Sequence, residues 1–278
     1  MPKQEASKTA LSVAAMRAVH QLFDATPKIL DDKVVVQLLG APFVEQIQTH
    51  LARFQTIEAN VLRSHILLRS RYAEDRLAKA IERGVQQYLI LGAGFDTFPY
   101  RQPTWAHSLQ IFEVDQPASQ QEKRERLLHN DINVPANLEF VTIDFETTSL
   151  VDGLKKSSFD SSKPTFVSWL GVMMYLNQDA IDSVLKYVVA LPSSSEIVFT
   201  FVPPLSSAKQ VELAELAAKQ GEPWKNYVMP EDLVQSLHSL GFTDITLPTS
   251  AELDAWYICG RQDGLGVSNR TLIASAIV

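Results

Sequence analysis

The chain has 278 residues, of which 46% are hydrophobic and 21% are charged, a balance typical of a globular protein with a sizeable core. Its formal net charge of −7 argues against general binding to the phosphate backbone of nucleic acids. The single cysteine, Cys259, excludes an intramolecular disulfide and a cysteine-cluster metal site, and we expect no bound metal. No apolar stretch approaches the roughly 18 residues needed to cross a bilayer, so we predict a cytoplasmic protein without a membrane partner.

Residues 1–84 are predicted to form a helical cap that packs on a sheet. Apolar residues recur at three- and four-residue spacing from Leu11 to Leu22, and the same period continues over 43–54 and 57–83. The first residues are interpreted as a helix start and not as a signal peptide, because no small-residue cleavage site follows an apolar core. Gly84 stands where the third helix is expected to end.

From residue 85 to 278 the pattern changes to short apolar runs separated by amphipathic segments. This alternation predicts an α/β fold with a doubly wound, mostly parallel sheet, which forms one structural unit with the cap. The last two runs lie close together, which favours an antiparallel pair, and residues 203–229 look like an insertion that could form a lid. Helices are predicted at 117–130, 178–191 and 229–241, and strands at 88–92, 109–115, 138–144, 165–171, 196–202, 242–247 and 271–277.

The segment LILGAGFDT at residues 89–97 raises the question of what packs against its glycines. Ligands of open α/β sheets bind beyond the carboxyl ends of the strands, and glycines there allow a sharp turn and a close approach. The third position of a G-x-G-x-x-G pattern holds Thr97, and the triphosphate-binding pattern is absent. Gly92 and Gly94 therefore fit either a cofactor contact or a tight turn between strand and helix.

Carboxylates follow the next two predicted strands. Asp115 stands where an acid can accept hydrogen bonds from both ribose hydroxyls of an adenosine, or can cap the following helix instead. Asp144 can hold an adenine amino group with Phe145 packed on the ring, or can be an ordinary acid at a strand end. The glycine turn and Asp115 together favour an adenosine-containing cofactor.

Two further segments allow two interpretations each. Arg69 and Arg71 can grip a cofactor carboxylate if their helix crosses the carboxyl edge of the sheet. The spacing from Arg71 to Asp75 favours instead an exposed ion pair along the helix. The bulky side chains in GVMMYL (171–176) can wall a pocket or fill the core.

Several separate motifs, in the right order, resemble the class I S-adenosylmethionine-dependent methyltransferases of the leucine carboxyl methyltransferase superfamily, and most of all its bacterial branch. The motifs are LRSRYAED, ILGAGFDTFPYR, FEVDQP, VTIDFE and GVMMYL, and the similarity runs almost end to end. The resemblance implies a Rossmann-like sheet of seven strands and S-adenosylmethionine as the cofactor.

The resemblance also implies seven cofactor-binding residues. Arg69 matches the first arginine of the family's R-T-R stretch, which would bind the carboxylate of the donor, and Arg17 lies near a basic position that can share this task. The other five are Gly92 and Gly94 along the methionine portion, Asp115 at the ribose, and Asp144 with Phe145 around the adenine.

The expected function is O-methylation of a small-molecule carboxylate or hydroxyl by in-line displacement. Leu170 stands where many relatives of this family have a glutamate, which weighs against protein-carboxyl methylation. The alternatives are a protein C-terminal carboxyl methyltransferase, an NAD(P)-binding oxidoreductase, and a non-enzymatic protein that binds the donor to regulate a partner. The missing third glycine weighs against the oxidoreductase.

The sequence designates no catalytic residue. A carboxylate acceptor needs no general base, whereas a hydroxyl acceptor needs one. The possible bases near the predicted pocket, each better explained by packing, are His20, Tyr100, Glu113, Tyr175 and Tyr257. Aromatic side chains suggest an apolar or planar acceptor but are equally typical of a core, and they are Trp105, Trp169, Phe201, Trp224, Tyr227 and Trp256.

Overall fold

The structure is a computed structural model that describes residues 8–145, 148–206, 208–219, 222–267 and 271–278. Its first part is helical, with α1 (Lys8–Phe23), α2 (Lys33–Leu39), α3 (Ala41–Thr49) and α4 (Ile57–Glu82). Residues 24–32 interrupt the helical period that the sequence shows between residues 9 and 84. Asp32 ends this interruption, because its carboxylate accepts the N–H of Val35 at 3.1 Å and caps α2.

Seven strands form one sheet: β1 (Gln87–Leu91), β2 (Gln110–Asp115), β3 (Leu138–Thr142), β4 (Thr165–Trp169), β5 (Glu196–Phe201), β6 (Thr243–Thr246) and β7 (Leu272–Ile277). Their order is β3-β2-β1-β4-β5-β7-β6. The pairs from β3 to β5 are parallel, whereas β7 runs antiparallel to both β5 and β6. The predicted α/β fold, with a doubly wound sheet and an antiparallel pair at its end, is confirmed.

Helices lie in the connections that follow β2 to β6. The helices are α5 (Pro117–His129), α6 (Leu150–Leu154), α7 (Gln178–Val189), α8 (Ala208–Lys219), α9 (Pro230–Leu240) and α10 (Ser250–Leu253). Helix α8 occupies the predicted lid at 203–229, of which residues 207, 220 and 221 lie outside the described residues, and the lid role stays a prediction. Within the described ranges, no helix combines the length and the apolar character that crossing a membrane would require.

Helices cover both faces of the sheet because alternate side chains of each strand point to opposite sides. On one face, Tyr72 and Leu77 of α4 form a buried cluster with Ile90 of β1. On the other face, Leu89 of β1 packs with Ile181 of α7. The long helix α4 is thereby fixed against the centre of the sheet.

The strand order reverses between β1 and β4. The chain moves outward from β1 to β2 and β3 on one side, and from β4 to β5 on the other, which leaves a crevice at the carboxyl ends of β1 and β4. Ligands of such sheets bind in this crevice. The loops after Leu91, Asp115, Thr142 and Trp169 are therefore the ones that build a site.

Candidate functional site

A cleft of about 370 Å³ lies at the carboxyl edge of the sheet. Its walls come from the loops after β1 to β4, from α1 and α4, and from Glu222, Pro223 and Lys225. This volume suits a small-molecule ligand. All seven residues of the expected cofactor site border the cleft, namely Arg17, Arg69, Gly92, Gly94, Asp115, Asp144 and Phe145.

The two glycines of the first loop have positive φ angles, 67° at Gly92 and 47° at Gly94. The N–H groups of Gly92 and Ala93 both donate to the carbonyl of Val114, at 2.8 and 3.0 Å, which closes the turn onto β2. A Cβ at Gly92 would overlap the Cγ2 methyl of Val172. The turn needs glycine both for its backbone conformation and for space.

Asp115 is bound to the same turn. Its Oδ2 accepts the N–H of Gly94, and its Oδ1 accepts the N–H of Gln116 at 2.7 Å. Burial raises the pKa of Asp115, while these two N–H groups and the charge of Lys123 act in the opposite direction. Because a carboxylate oxygen can accept more than one hydrogen bond, both oxygens of Asp115 can still bind a ligand.

Asp144 and Phe145 border the cleft directly after Ile143. The N–H of Ile143 donates to the carbonyl of Asp115 at 2.9 Å, so the pairing of β2 with β3 extends one residue beyond β3. Phe145 is partly buried against the main hydrophobic core. The two residues predicted for the adenine therefore lie beside the loop of the residue predicted for the ribose.

Arg69 reaches the cleft from α4. Its Nε atom is buried and has no hydrogen-bond partner in the described part of the chain. Burial lowers the pKa of Arg69 to about 10, and the charge of Arg17 acts in the same direction, whereas Tyr175 and Asp96 favour the charged form. A buried donor without a partner is rare in proteins, and a guanidinium in this state suits an anionic ligand.

Arg71 does not border the cleft. Its Nη2 lies 2.9 Å from Oδ1 of Asp75, and the two side chains are 44% and 35% exposed. The helical ion pair that the spacing favoured is therefore present, and the two arginines of LRSRYAED have different environments.

Arg17 is held by the chain itself. Its Nη1 donates to Asp32 at 2.9 Å and to Oγ1 of Thr97 at 3.2 Å, and its Nη2 donates to the carbonyl of Phe95. Thr97, at the position of the third glycine, also accepts a bond from Nε of Arg101 at 3.2 Å. The Nε of Arg17 is buried without a hydrogen-bond partner among the described residues. Arg17 thus fixes the glycine loop and leaves its Nε for a ligand.

Three charged residues of the cleft were not assigned a role from the sequence. Asp96 follows the glycine turn, and its Oδ1 accepts the N–H of Phe98 at 2.7 Å. Glu222 and Lys225 border the cleft from the segment after α8. Asp96 could have been found from its place within LILGAGFDT, whereas no sequence motif identifies Glu222 or Lys225 as residues of the site.

Of the five possible bases, Tyr175 borders the cleft and the other four do not. Burial raises the pKa of Tyr175, which therefore stays protonated at neutral pH. The other four each have a partner outside the cleft, in keeping with the structural interpretation that the sequence favoured for them. The pairs are His20 with Asp24 (2.8 Å), Tyr100 with Glu113 (3.3 Å), Glu113 with Lys123 (2.7 Å) and Tyr257 with Asp75 (2.8 Å).

The aromatic residues proposed for the acceptor do not border the cleft either. Trp169 is fully buried in the core, and Trp256 is 51% exposed. Met173 and Met174 are buried as well, so that the methionines of GVMMYL fill the core while its other residues, Gly171, Val172, Tyr175 and Leu176, border the cleft. The composition of this region therefore does not identify an apolar acceptor.

Comparison with known proteins connects this cleft to a family. The model of the family described as leucine carboxyl methyltransferase matches residues 10–189, which is more than half of the chain and includes all seven residues above. YktD of Bacillus subtilis, named as an S-adenosyl-L-methionine-dependent methyltransferase, is 31% identical over an alignment that covers 95% of this chain and 95% of YktD. A Mycolicibacterium vanbaalenii protein with the same kind of name is 27% identical, with 86% of this chain and 81% of that protein covered.

Two solved structures share the fold. A protein of Thermobifida fusca named as a methyltransferase matches with a TM-score of 0.56 and 18% identity, covering 87% of this chain and 91% of its own. A DUF574-family protein of Streptomyces avermitilis matches with a TM-score of 0.57 and 17% identity, covering 94% and 99%. At these identities the likeness shows a common fold.

Proposed function

The chain belongs to the leucine carboxyl methyltransferase family of S-adenosylmethionine-dependent methyltransferases, and from this premise we propose that it methylates an oxygen atom of a small-molecule carboxylate or alcohol. One observation carries the proposal. The guanidinium of Arg69, with its unpartnered Nε, and the carboxylate of Asp115 border one cleft together with the turn at Gly92. This is a set of groups that suits a molecule with a carboxylate at one end and a ribose in its middle.

The residues of the cleft fit the parts of the donor. Arg69 suits the carboxylate of its amino-acid end, because a guanidinium can form two parallel hydrogen bonds to a carboxylate, and Nε of Arg17 can add a third donor. Asp115 suits the two ribose hydroxyls. The remaining assignments are Gly92 and Gly94 along the methionine portion, and Asp144 with Phe145 around the adenine.

Bound in this way, the donor would supply an electrophilic methyl group on a positively charged sulfur, ready for in-line displacement by the acceptor oxygen. Alignment is the main contribution of the protein, and the loops after β1 and β2 supply it because Asp115 binds the N–H of Gly94 and ties them together. Tyr175 can donate a hydrogen bond to the acceptor but does not act as a base while protonated. A carboxylate acceptor fits this site without any base.

Calorimetry and a transfer assay test the proposal. We expect S-adenosylhomocysteine to bind the wild type, and Asp115→Ala to weaken binding about 10- to 100-fold through the loss of charged hydrogen bonds. Labelled methyl groups should appear in a small molecule from a cell extract, and base-labile label would identify a methyl ester. Label on a protein would favour the protein carboxyl methyltransferase, and tighter binding of NAD than of S-adenosylhomocysteine would contradict the proposal.

A further inference from the structure

The amino-acid end of S-adenosylmethionine carries an ammonium group as well as a carboxylate. The proposed function, on which this inference rests, gives the carboxylate to Arg69 and leaves the ammonium without a partner. An ammonium removed from water needs hydrogen-bond acceptors, and a carboxylate is the strongest available. Four carboxylates border the cleft, namely Asp96, Asp115, Asp144 and Glu222.

Asp96 is the carboxylate on the turn that leads from the glycines. Its N–H donates to the carbonyl of Ala93 at 2.7 Å, and its Oδ1 accepts the N–H of Phe98 at 2.7 Å. These two bonds fix the backbone and the side chain of Asp96 together. Asp96 is half-buried, and in the described part of the chain neither Asp96 nor Arg69 takes part in a salt bridge.

Asp96 and Arg69 border the same cleft, Asp96 from the loop after β1 and Arg69 from α4. The charge of Asp96 raises the pKa of Arg69, in opposition to burial. By contrast, Arg17 is paired with Asp32 at 2.9 Å, so that its charge is compensated within the protein. Arg69 and Asp96 thus present a cation and an anion on neighbouring elements of the cleft, an arrangement that matches a zwitterionic amino-acid group.

We propose that Asp96 accepts the ammonium group of the donor while Arg69 holds its carboxylate. The other acids fit this task less well. Asp115 is already assigned to the ribose hydroxyls, and Glu222 comes from the segment after α8 and not from the glycine turn. Asp144 follows β3, on the far side of β2 from the glycine turn. Asp96 is therefore a binding residue that selects a donor with a free amino group.

Calorimetric titrations with three ligands distinguish the contribution of the donor's ammonium group from that of its carboxylate. S-adenosylhomocysteine has both charged groups, its decarboxylated analogue 5′-(3-aminopropylthio)-5′-deoxyadenosine keeps the ammonium alone, and 5′-methylthioadenosine has neither. For Asp96→Asn we expect a loss of affinity of about 10- to 100-fold for the first two ligands and less than about twofold for the third. For Arg69→Met we expect a loss of affinity for S-adenosylhomocysteine and unchanged affinity for the decarboxylated analogue.

Asn at position 96 keeps an oxygen for the N–H of Phe98, so the turn should survive. A matched control is Asp160→Asn, because Oδ1 of Asp160 accepts the N–H of Ser162 at 2.9 Å with the same spacing and lies outside the cleft. This variant should bind all three ligands like the wild type. Equal weakening of 5′-methylthioadenosine by Asp96→Asn, or unchanged binding of S-adenosylhomocysteine, would overturn the role of Asp96. Failure of the wild type to bind any of the three would overturn the proposed function as well.

Discussion

The guanidinium of Arg69 packs against the backbone of Gly171, where a Cβ would stand 2.6 Å from Nη1 of the arginine. Gly171 follows β4 with a φ of 76°, and its N–H donates to Oγ1 of the buried Thr200 at 2.7 Å. The glycine therefore makes room for a side chain from α4 at the carboxyl edge of the sheet. This contact joins the helical part of the chain to the site.

The first prediction concerns Gly171→Ala. The new methyl group would displace the guanidinium of Arg69, so we expect S-adenosylhomocysteine affinity to fall about 10-fold or more, as for the loss of a charged hydrogen bond. Gly260→Ala is the matched control, because Gly260 has a φ of 83° and no atom within 4 Å of its Cβ position. Both variants share the cost of a positive φ, but only the first should weaken binding in a calorimetric titration. Equal affinities of the two variants for S-adenosylhomocysteine would show that ligand binding by Arg69 does not depend on the absence of a side chain at Gly171.

The second prediction concerns the overlap between Gly92 and Val172. Gly92→Ala should destabilise the protein and weaken binding, because the added methyl group overlaps Cγ2 of Val172 in a turn that disfavours L residues. Val172→Ala removes the overlapping methyl group. We expect the double variant to bind S-adenosylhomocysteine more tightly than Gly92→Ala alone. If the two losses simply add in a double-mutant cycle, the overlap is not what restricts this position.

A third prediction concerns the buried pair of Arg17 and Asp32. Arg17→Met leaves the carboxylate of Asp32 buried with less compensation and should lower the free energy of unfolding by about 3 kcal/mol in urea titrations. Adding Asp32→Asn should recover much of the loss, because Asn removes the charge and keeps an oxygen for the N–H of Val35. Arg71→Met, in the exposed pair with Asp75, is the control and should cost less than about 1 kcal/mol. Similar costs for the two single variants would contradict the prediction.

The fourth prediction is that His65 makes the folded protein less stable in mild acid. Burial lowers the pKa of His65 from 6.5 to about 3, helped by the charge of Arg69, and its Nε2 is buried without a hydrogen-bond partner among the described residues. Below pH 6.5 the His65 side chain binds a proton in the unfolded chain but not in the folded chain. The free energy of unfolding is therefore highest above pH 6.5 and decreases as the pH falls toward 3. Between pH 6.5 and 5 the loss should be about 2 kcal/mol.

His65→Leu should reduce this dependence on pH in urea titrations at several pH values. Part of the dependence should remain, because burial also lowers the pKa of His20, with the same sign. An unchanged slope in His65→Leu would show that His65 is protonated in the folded protein.

The fold was predictable because the sequence alternates between two hydrophobic periods. The run YLILG predicts a buried strand, and the segment from 117 to 130 predicts the helix α5 that the structure contains. Strand ends then indicate loop residues at the carboxyl edge, and Asp115 and Asp144 can be selected by this rule alone. The helical cap was harder, since Pro27 and the cap at Asp32 break a period that looks continuous.

Other parts of the site depend on contacts between distant segments. Arg69 and Arg71 look alike in sequence, and the crossing of α4 over the sheet decides which of them reaches the cleft. The hydrophobicity of Trp169 does not reveal that it lies in the core and not at the ligand, because both environments favour tryptophan. Asp96 lies within LILGAGFDT but looks there like an ordinary turn residue, and its place in the cleft that Arg69 also borders distinguishes it.

The most direct test is a crystal structure of the chain with S-adenosylhomocysteine, refined to a resolution that places each end of the ligand. We predict the ribose hydroxyls within hydrogen-bond distance of Asp115, the carboxylate at Arg69 and the ammonium at Asp96. A nucleoside bound outside the cleft at the β1 and β4 loops, or a ligand in the opposite orientation within it, would contradict the proposed site.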